Sequence, residues 1–138
     1  MLTLSPAAEY AVRALEVVAR DADARPVTLN EVCQRSGVGR DYLAKILGAL
    51  AKQGLVQAVR GKRGGYRLGR PAEEVSLLAI IEAAEGPIAL NFCQHDPPQC
   101  DREGCPAGAA WADIQDYMRS RLGEVTLAEL AGAHEPSG

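Results

Sequence analysis

The first third of the chain carries apolar side chains at the spacing of α-helices, separated by polar and glycine-containing turns. We predict a first helix over residues 5–20 because Ser5 can cap it and Pro6 fits its first position. Its apolar face consists of Tyr10, Ala14, Leu15, Val17 and Val18. A polar linker over residues 21–26 follows this helix.

Two shorter helices come next, and a tight turn joins them. Thr28 can cap the second helix, which ends near Gly37 because glycine readily adopts the left-handed conformation of a helix end. The third helix runs from about Gly39 to about Gln53, and its apolar face consists of Tyr42, Leu43, Ile46, Leu47 and Leu50. Two helices joined by such a turn form a helix-turn-helix.

A short β-hairpin is predicted directly after the third helix. Gly54 ends that helix, and residues 55–59 favour a strand. Residues 60–65, Arg-Gly-Lys-Arg-Gly-Gly, form a basic turn before a returning strand over residues 66–68. A helix-turn-helix followed by a basic hairpin is a winged helix-turn-helix, so we predict a DNA-binding domain over residues 1–70.

The second region, residues 71–138, is predicted to hold a long loop with one helix before it and one after it. In chain order, the pattern predicts a helix over 75–84, a loop over 86–108, a helix over 107–122, a last helical turn over 126–131 and a frayed tail over 134–138. A loop of this length in a small protein is typical of a functional or disordered segment. The predicted fold is mainly α, with a small β-hairpin wing and a long C-terminal dimerisation helix.

The long C-terminal helix carries an apolar stripe that must pack against something. The stripe consists of Trp111, Ile114, Met118 and Leu122. It can pack within the monomer, but helix-turn-helix proteins usually bind two DNA half-sites as symmetric dimers. We therefore predict a homodimer in which this helix meets its partner.

Charge is distributed unevenly along the chain and indicates a polyanionic partner. Residues 1–70 hold 12 Lys/Arg and 6 Asp/Glu, whereas residues 71–138 hold 3 and 12, within a net charge of −3. A basic block in a folded region is typical of nucleic-acid binding, although a solvated basic face gives the same pattern. We find no membrane-length apolar run and no secretory signal, so we predict a cytoplasmic protein.

The candidate DNA contacts lie on the third helix and in the wing. The N-terminal part of a recognition helix enters the major groove, and there the chain has Arg40, Tyr42 and Lys45. In the wing, Arg60, Lys62 and Arg63 bring positive charge to a turn that can approach the minor groove. An ordinary solvated turn is the alternative for these wing residues.

Three of the four cysteines are clustered as Cys93-x6-Cys100-x4-Cys105. Thiolates are soft ligands that suit iron–sulfur clusters, zinc or copper(I), but this spacing is neither that of a zinc ribbon nor that of ferredoxins. A thiol redox switch and incidental cysteines remain alternatives. Cys33 stands apart and is predicted to be a small buried thiol. An enzyme is not indicated, because no C-x-x-C motif accompanies a βαβ pattern and neither histidine has an evident catalytic partner.

The chain resembles the winged-helix iron–sulfur transcription regulators typified by IscR, NsrR and RsrR. The resemblance covers residues 1–131 and is carried by Leu4-Ser5, Tyr10-Ala11-Val12, Gly37-Val38, Tyr42-Leu43, Gly54-Leu55-Val56, Arg60-Gly61, Gly64-Gly65-Tyr66, the three-cysteine loop, the Trp111 helix and Thr126-Leu127-Ala128-Glu129-Leu130. It implies a homodimer that binds palindrome-like double-stranded DNA operators, as a repressor, and senses nitric oxide, redox state or iron supply through a cluster of two or four irons.

The resemblance also implies the ligands of that cluster. Cys93, Cys100 and Cys105 correspond to the thiolate ligands. IscR-like members use a histidine three residues after the last cysteine, but this chain has Gly108 there. NsrR- and RsrR-like members use an acidic residue of the first helix from the other subunit, and Glu9 falls at that position. Glu9 is therefore the expected fourth ligand, with His95 or no fixed protein ligand as alternatives.

Overall fold

The computed structural model describes residues 5–21 and 25–133. Its helices are α1 (Pro6–Arg20), α2 (Leu29–Ser36), α3 (Arg40–Lys52), α4 (Leu77–Glu85), α5 (Pro106–Glu124) and α6 (Leu127–Ala133). Strands β1 (Val56–Val59) and β2 (Gly65–Leu68) form an antiparallel hairpin, and two short 3₁₀ turns cover Ala72–Glu74 and Phe92–Gln94. This mainly helical fold with a two-stranded wing confirms the predicted fold class. Leu4 and the predicted tail over 134–138 lie outside the described residues.

The ends of α2 follow from local sequence, as predicted. The hydroxyl of Thr28 accepts a hydrogen bond from the Glu31 backbone N–H, and the Glu31 carboxylate accepts one from the Thr28 backbone N–H. This reciprocal pair satisfies two N–H groups that a helix start would otherwise leave unpaired. Gly37 ends the helix with a φ of 76°, which is a left-handed conformation that glycine adopts without a steric cost.

The wing is tied to the segment that precedes α2. Val27 and Tyr66 exchange two backbone hydrogen bonds of 2.9 and 2.8 Å, so residue 27 forms an isolated bridge to β2. A Cβ atom at Gly65 would lie 2.5 Å from the Val27 carbonyl oxygen, and the φ of Gly65 is 156°. Glycine is required here because any side chain would push the wing away from this segment.

One apolar core joins the two predicted regions of the chain. Helix α1 packs against α2, α3, α4 and α6. Val75, Ile80 and Leu127 share a buried cluster with residues of α1, α2 and α3. The Leu77 backbone N–H donates a hydrogen bond to the Val125 carbonyl, and the Leu127 N–H donates one to the Val75 carbonyl. This pair of bonds aligns the starts of α4 and α6. The division into domains at residue 70 stays a prediction.

Several boundaries differ from the sequence prediction. Helix α4 begins at Leu77, because the Ser76 hydroxyl accepts a hydrogen bond from the Ala79 N–H and caps it there. The predicted last turn is a complete helix, α6, whose Leu127 is fully buried. The side chain of Ser5 makes no capping hydrogen bond, although its backbone has the extended conformation of a helix cap.

Helix α5 is the least buried of the long helices. None of its described residues is buried, and Ile114 and Tyr117 are exposed by 52% and 73%. Trp111, Met118 and Leu122 of the predicted stripe are half-buried. An exposed apolar face on a long helix is what the predicted dimer requires. Among the described residues, no helix is long and apolar enough to span a membrane.

Candidate nucleic-acid interface and cysteine site

The start of α3 presents the predicted DNA contacts to solvent. Arg40, Tyr42 and Lys45 are exposed there. The opposite face of the same helix is buried and consists of Leu43, Ile46, Leu47 and Leu50. The apolar face therefore fixes the orientation of α3, and the basic face remains free for a ligand. The Arg40 guanidinium also donates a hydrogen bond to the Asn30 side chain in the first turn of α2.

Tyr42 links the start of α3 to α1. Its ring meets the ring of Tyr10 edge-on, with centroids 5.5 Å apart and planes at 90°. Such edge-to-face pairs are worth about 0.5–1.5 kcal/mol beyond the area they bury. Tyr42 is still 41% exposed, so one side chain contacts α1 and also lies on the candidate DNA surface. A displacement of α1 at Tyr10 would therefore change the packing at the start of α3.

The wing residues border a basic cleft. Arg60, Lys62 and Arg63 line it, and the cleft has a volume of about 830 Å³. Two further arginines line it, Arg25 before α2 and Arg67 on β2. Neither arginine is among the DNA contacts predicted from the sequence. Arg67 lies on the predicted hairpin itself, whereas Arg25 reaches the wing only through the Val27–Tyr66 bridge.

Arg25 is held by Glu31 in a two-pronged ion pair. Its two terminal nitrogens lie 2.9 and 2.7 Å from the two Glu31 carboxylate oxygens, and one of them also donates to the Pro26 carbonyl at 3.2 Å. The hydrogen bonds from Arg25, followed by the one from the Thr28 backbone, lower the pKa of Glu31 to about 2. Glu31 thus caps α2 and orients the arginine.

The three predicted cysteine ligands border a single depression at the start of α5. Cys93 lies in the short 3₁₀ turn, Cys100 in the loop, and Cys105 at the capping position of α5. The depression has a volume of about 750 Å³. All three are free thiols, and Cys100 is exposed whereas Cys93 and Cys105 are half-buried. Within residues 5–21 and 25–133, no three Cys, His, Asp or Glu side chains form a ready-made metal-binding group.

Backbone groups at the start of α5 favour the thiolate form of Cys105. The backbone N–H groups of Gly108 and Ala107, at the start of α5, favour its thiolate and hold the pKa of Cys105 below its usual value, with a further contribution from Arg102. The thiolate is the form that binds metals and reacts with oxidants. Cys33, predicted to be a small buried thiol, lies apart in α2 and is half-buried against the core.

The loop that carries these cysteines is anchored to α5 and, through it, to α4. The Gln115 side chain of α5 accepts a hydrogen bond of 3.1 Å from the Leu90 backbone N–H. Arg119 of α5 pairs with Glu82 of α4 at 2.9 Å. Within the loop, the Gln99 backbone N–H donates to the Phe92 carbonyl at 2.9 Å. The cysteine depression is therefore connected to the helix that packs beneath α1.

The candidates for a fourth ligand lie apart from the depression within one chain. Glu9 is exposed on α1, and its carboxylate is 3.0 Å from the Arg13 guanidinium. His95 contacts Phe92, with ring centroids 6.2 Å apart, and does not line the depression. Gly108 does line it, and a Cβ atom there would lie 4.0 Å from the Cys93 sulfur. The position at which IscR-like proteins have a histidine is thus next to the thiols and carries no side chain.

A comparison with known protein families gives a match over nearly the whole chain. The Rrf2 family, described as iron-dependent transcriptional regulators, matches residues 4–133. The HTH-type transcriptional regulator IscR of Escherichia coli O1:K1 is 33% identical over 134 residues, which are 97% of this chain and 83% of that protein.

Solved structures give the same picture of the fold. CymR, the global cysteine regulator of B. subtilis, superposes with a TM-score of 0.83 at 27% identity and covers 98% of this chain and 100% of its own. The IscR of T. potens superposes with a TM-score of 0.80 at 26% identity, covering 99% of this chain and 94% of its own.

Proposed function

This chain belongs to the Rrf2 family of winged-helix transcription regulators, which are not enzymes, and we propose that an iron–sulfur cluster controls its affinity for DNA. The regulator acts as a cytoplasmic homodimer on a palindrome-like operator, as a repressor. The observation that carries the proposal is that all three clustered thiols border one depression at the start of α5. The signal is nitric oxide, redox state or iron supply.

The DNA contacts of the proposal are six exposed side chains on two elements. Arg40, Tyr42 and Lys45 of α3 enter the major groove, and the wing residues Arg60, Lys62 and Arg63 approach the adjacent minor groove. Cationic groups of this kind supply most of the affinity through the phosphates, and base contacts supply the sequence preference. Base recognition is assigned to Arg40, whose guanidinium suits a guanine edge.

The donor set in the depression fits an iron–sulfur cluster. Three thiols are the soft ligands that such clusters require, and Cys105 is already biased towards the thiolate by the start of α5. Cys93, Cys100 and Cys105 would hold the cluster, and Glu9 of the partner subunit would complete it. When bound, the cluster supplies iron whose ligation responds to oxidants, nitric oxide and iron supply.

Glu9 is suited to act as an exchangeable ligand. Its carboxylate is exposed and pairs only with a surface arginine of its own helix, Arg13, among the contacts described for it. Surface ion pairs of this type are worth about 0–1 kcal/mol, so Glu9 can leave Arg13 at little cost. A carboxylate is also a harder ligand than a thiolate for iron in a sulfur-rich site. Glu9 is therefore the ligand whose loss costs least.

The response reaches DNA through α1. Glu9 is followed by Tyr10, whose ring packs on Tyr42 of α3. A change in how Glu9 is held moves α1, and α1 packs directly on α3 through the buried core. The spacing of the two recognition helices in the dimer then changes, and the operator affinity changes with it.

The proposal is tested on protein purified without oxygen. We expect stoichiometric iron and acid-labile sulfide, a visible charge-transfer spectrum, and binding to a DNA duplex selected from a random pool. Replacing Cys100 by Ser should remove the iron and alter the DNA affinity, whereas Cys33→Ser, outside the depression, should leave both unchanged. Absence of iron and sulfide after reconstitution would contradict the proposal.

A second candidate is a cluster-free regulator in which the cysteines form a thiol–disulfide switch. The lowered pKa of Cys105 favours it, because a thiolate attacks oxidants faster than a thiol does. Mild peroxide treatment of colourless, iron-free protein should then form a disulfide and change DNA affinity reversibly with dithiothreitol. Protein that stays fully reduced under this treatment would exclude the switch.

A further inference from the structure

We propose that the basic cleft between the wing and the start of α2 is a further DNA-contact surface, and that Arg25 is a phosphate-binding residue within it. The cleft would hold the phosphodiester strand that separates the major groove at α3 from the minor groove at the wing. This inference rests on the proposed DNA-binding function and adds to it a residue that lies outside both the recognition helix and the hairpin.

The order of elements on this surface supports the assignment. The Arg40–Asn30 hydrogen bond brings the first turn of α2 beside the first turn of α3. The Val27–Tyr66 bridge brings the segment before α2 beside the wing. The start of α2 therefore lies between the two elements that enter the grooves. In duplex DNA one phosphodiester strand separates a major groove from the neighbouring minor groove, so that strand must cross this part of the surface.

The charge of the cleft matches such a strand. Its cationic lining consists of Arg25, Arg60, Lys62, Arg63 and Arg67. The carboxylate that contacts this group, Glu31, has its oxygens occupied by Arg25 and the Thr28 backbone N–H. A concave surface with several cations and a neutralised acid concentrates positive potential, and phosphate oxygens are the groups that such a surface binds.

Arg25 is already fixed in position before any DNA binds. The hydrogen bonds to Glu31 and Pro26 use three of the five N–H groups of its guanidinium, which leaves donors for a phosphate. Its side chain is 56% exposed, so these donors are accessible. An oriented side chain loses less conformational freedom on binding than a free one, so Glu31 acts as a positioning residue.

The salt dependence of DNA binding tests the role of Arg25. The probe is a fluorescein-labelled duplex recovered from a random pool with the wild-type protein, and Kd is measured by anisotropy over a salt series. We expect Arg25→Ala to weaken binding and to lower the slope of log K against log salt by about one, as for the loss of one phosphate contact. Arg25→Lys should keep the slope, and Lys52→Ala, at the far end of α3 and outside the cleft, should change nothing.

A double variant separates a phosphate contact from simple charge compensation. Arg25→Ala leaves Glu31 unpaired, and that negative charge alone would repel DNA. In the Arg25→Ala/Glu31→Gln variant the charge is absent, and the side-chain amide oxygen would still accept the capping bond from the Thr28 backbone N–H. We expect the slope to stay low in this variant. Full recovery to the wild-type slope would overturn the proposal, because Arg25 would then only neutralise Glu31.

The outcomes also distinguish this inference from the proposed function. If the wild-type protein selects no duplex and binds none, the DNA-binding proposal fails and this one fails with it. If Arg60→Ala and Arg63→Ala lower the salt slope but Arg25→Ala does not, the regulator and its wing contacts stand and only the cleft assignment is wrong.

Discussion

At Gly108 the absence of a side chain leaves space within 4.0 Å of the Cys93 sulfur. A histidine at this position would start beside the thiols and could donate a ring nitrogen from the same chain. In the proposed arrangement the fourth ligand comes instead from Glu9 of the partner. A histidine at residue 108 and Glu9 of the partner are therefore alternative fourth ligands. The role of Glu9 can be tested by removing its carboxylate and supplying the histidine instead.

We expect Glu9→Ala to shorten the lifetime of the cluster absorbance by about tenfold or more, because even the outer partners of metal ligands have effects of this size. Adding Gly108→His should restore the lifetime, since it supplies a ligand from within the chain. Ala110→His, on the same helix but outside the depression, serves as the matched control and should not restore it. An unchanged lifetime in Glu9→Ala would show that Glu9 is not a ligand.

Glu31 should make the folded protein less stable as the pH falls below the ordinary pKa of a glutamate. Its pKa falls from 4.5 to about 2 in the folded protein, mainly through Arg25. A carboxylate with a lowered pKa contributes stability that is complete above the unfolded pKa and is lost as the pH falls through the folded one. We expect the melting temperature of the wild type to exceed that of Glu31→Gln at pH 7, and the gap to close between about pH 4.5 and 2. A gap that stays constant over this range would contradict the assignment.

Helix α6 is the element whose role the sequence understated. Leu127 is fully buried, and its backbone N–H donates a hydrogen bond to the carbonyl of Val75, two residues before α4. We expect Leu127→Ala to lower the free energy of unfolding by about 2–5 kcal/mol, as for other buried leucines. Leu130→Ala, a half-buried neighbour in the same helix, is the control and should cost less. Urea unfolding measures the free energy of unfolding of both variants. Equal decreases would contradict the prediction that the burial of Leu127 stabilises the fold more than that of Leu130.

Local patterns predicted the elements, because their signals lie within a few residues. Thr28 with Glu31 and the turn at Gly37 define α2 in the sequence as they do in the structure. The glycine-rich basic turn likewise predicted the hairpin. The start of α4 was predicted two residues too early. Val75 is apolar and was therefore assigned to the helix, but its backbone is extended and Ser76 caps the helix.

The parts that could not be predicted depend on contacts between distant segments. Nothing near Arg25 indicates that Val27 pairs with Tyr66, so its place in the wing cleft is not visible in the sequence. The edge-on contact of Tyr10 with Tyr42 is of the same kind. The cysteine spacing, by contrast, predicted that the three thiols share one site, and the structure brings them to one depression.

At the scale of the whole molecule, the exposed apolar side chains of α5 would be covered in the proposed homodimer. If α5 forms the proposed dimer interface, we expect Ile114→Glu to sediment as a monomer in sedimentation velocity, because Ile114 and Tyr117 are exposed by 52% and 73% in one chain. The monomer should also bind the selected duplex more weakly, since it holds one half-site. Glu74→Lys, an exposed charge change on the 3₁₀ turn, should leave the dimer intact. A dimeric Ile114→Glu variant would locate the interface elsewhere.

The shared core beneath α1 has a consequence for how this regulator can fail. Val75, Ile80 and Leu127 form part of the same buried cluster as the residues behind the recognition helix. A premature stop codon or a protease cut before α4 would therefore strip the DNA-binding half of packing that it needs. We therefore expect such damage to yield an unfolded fragment, not a truncated protein that binds DNA without responding to the proposed signal.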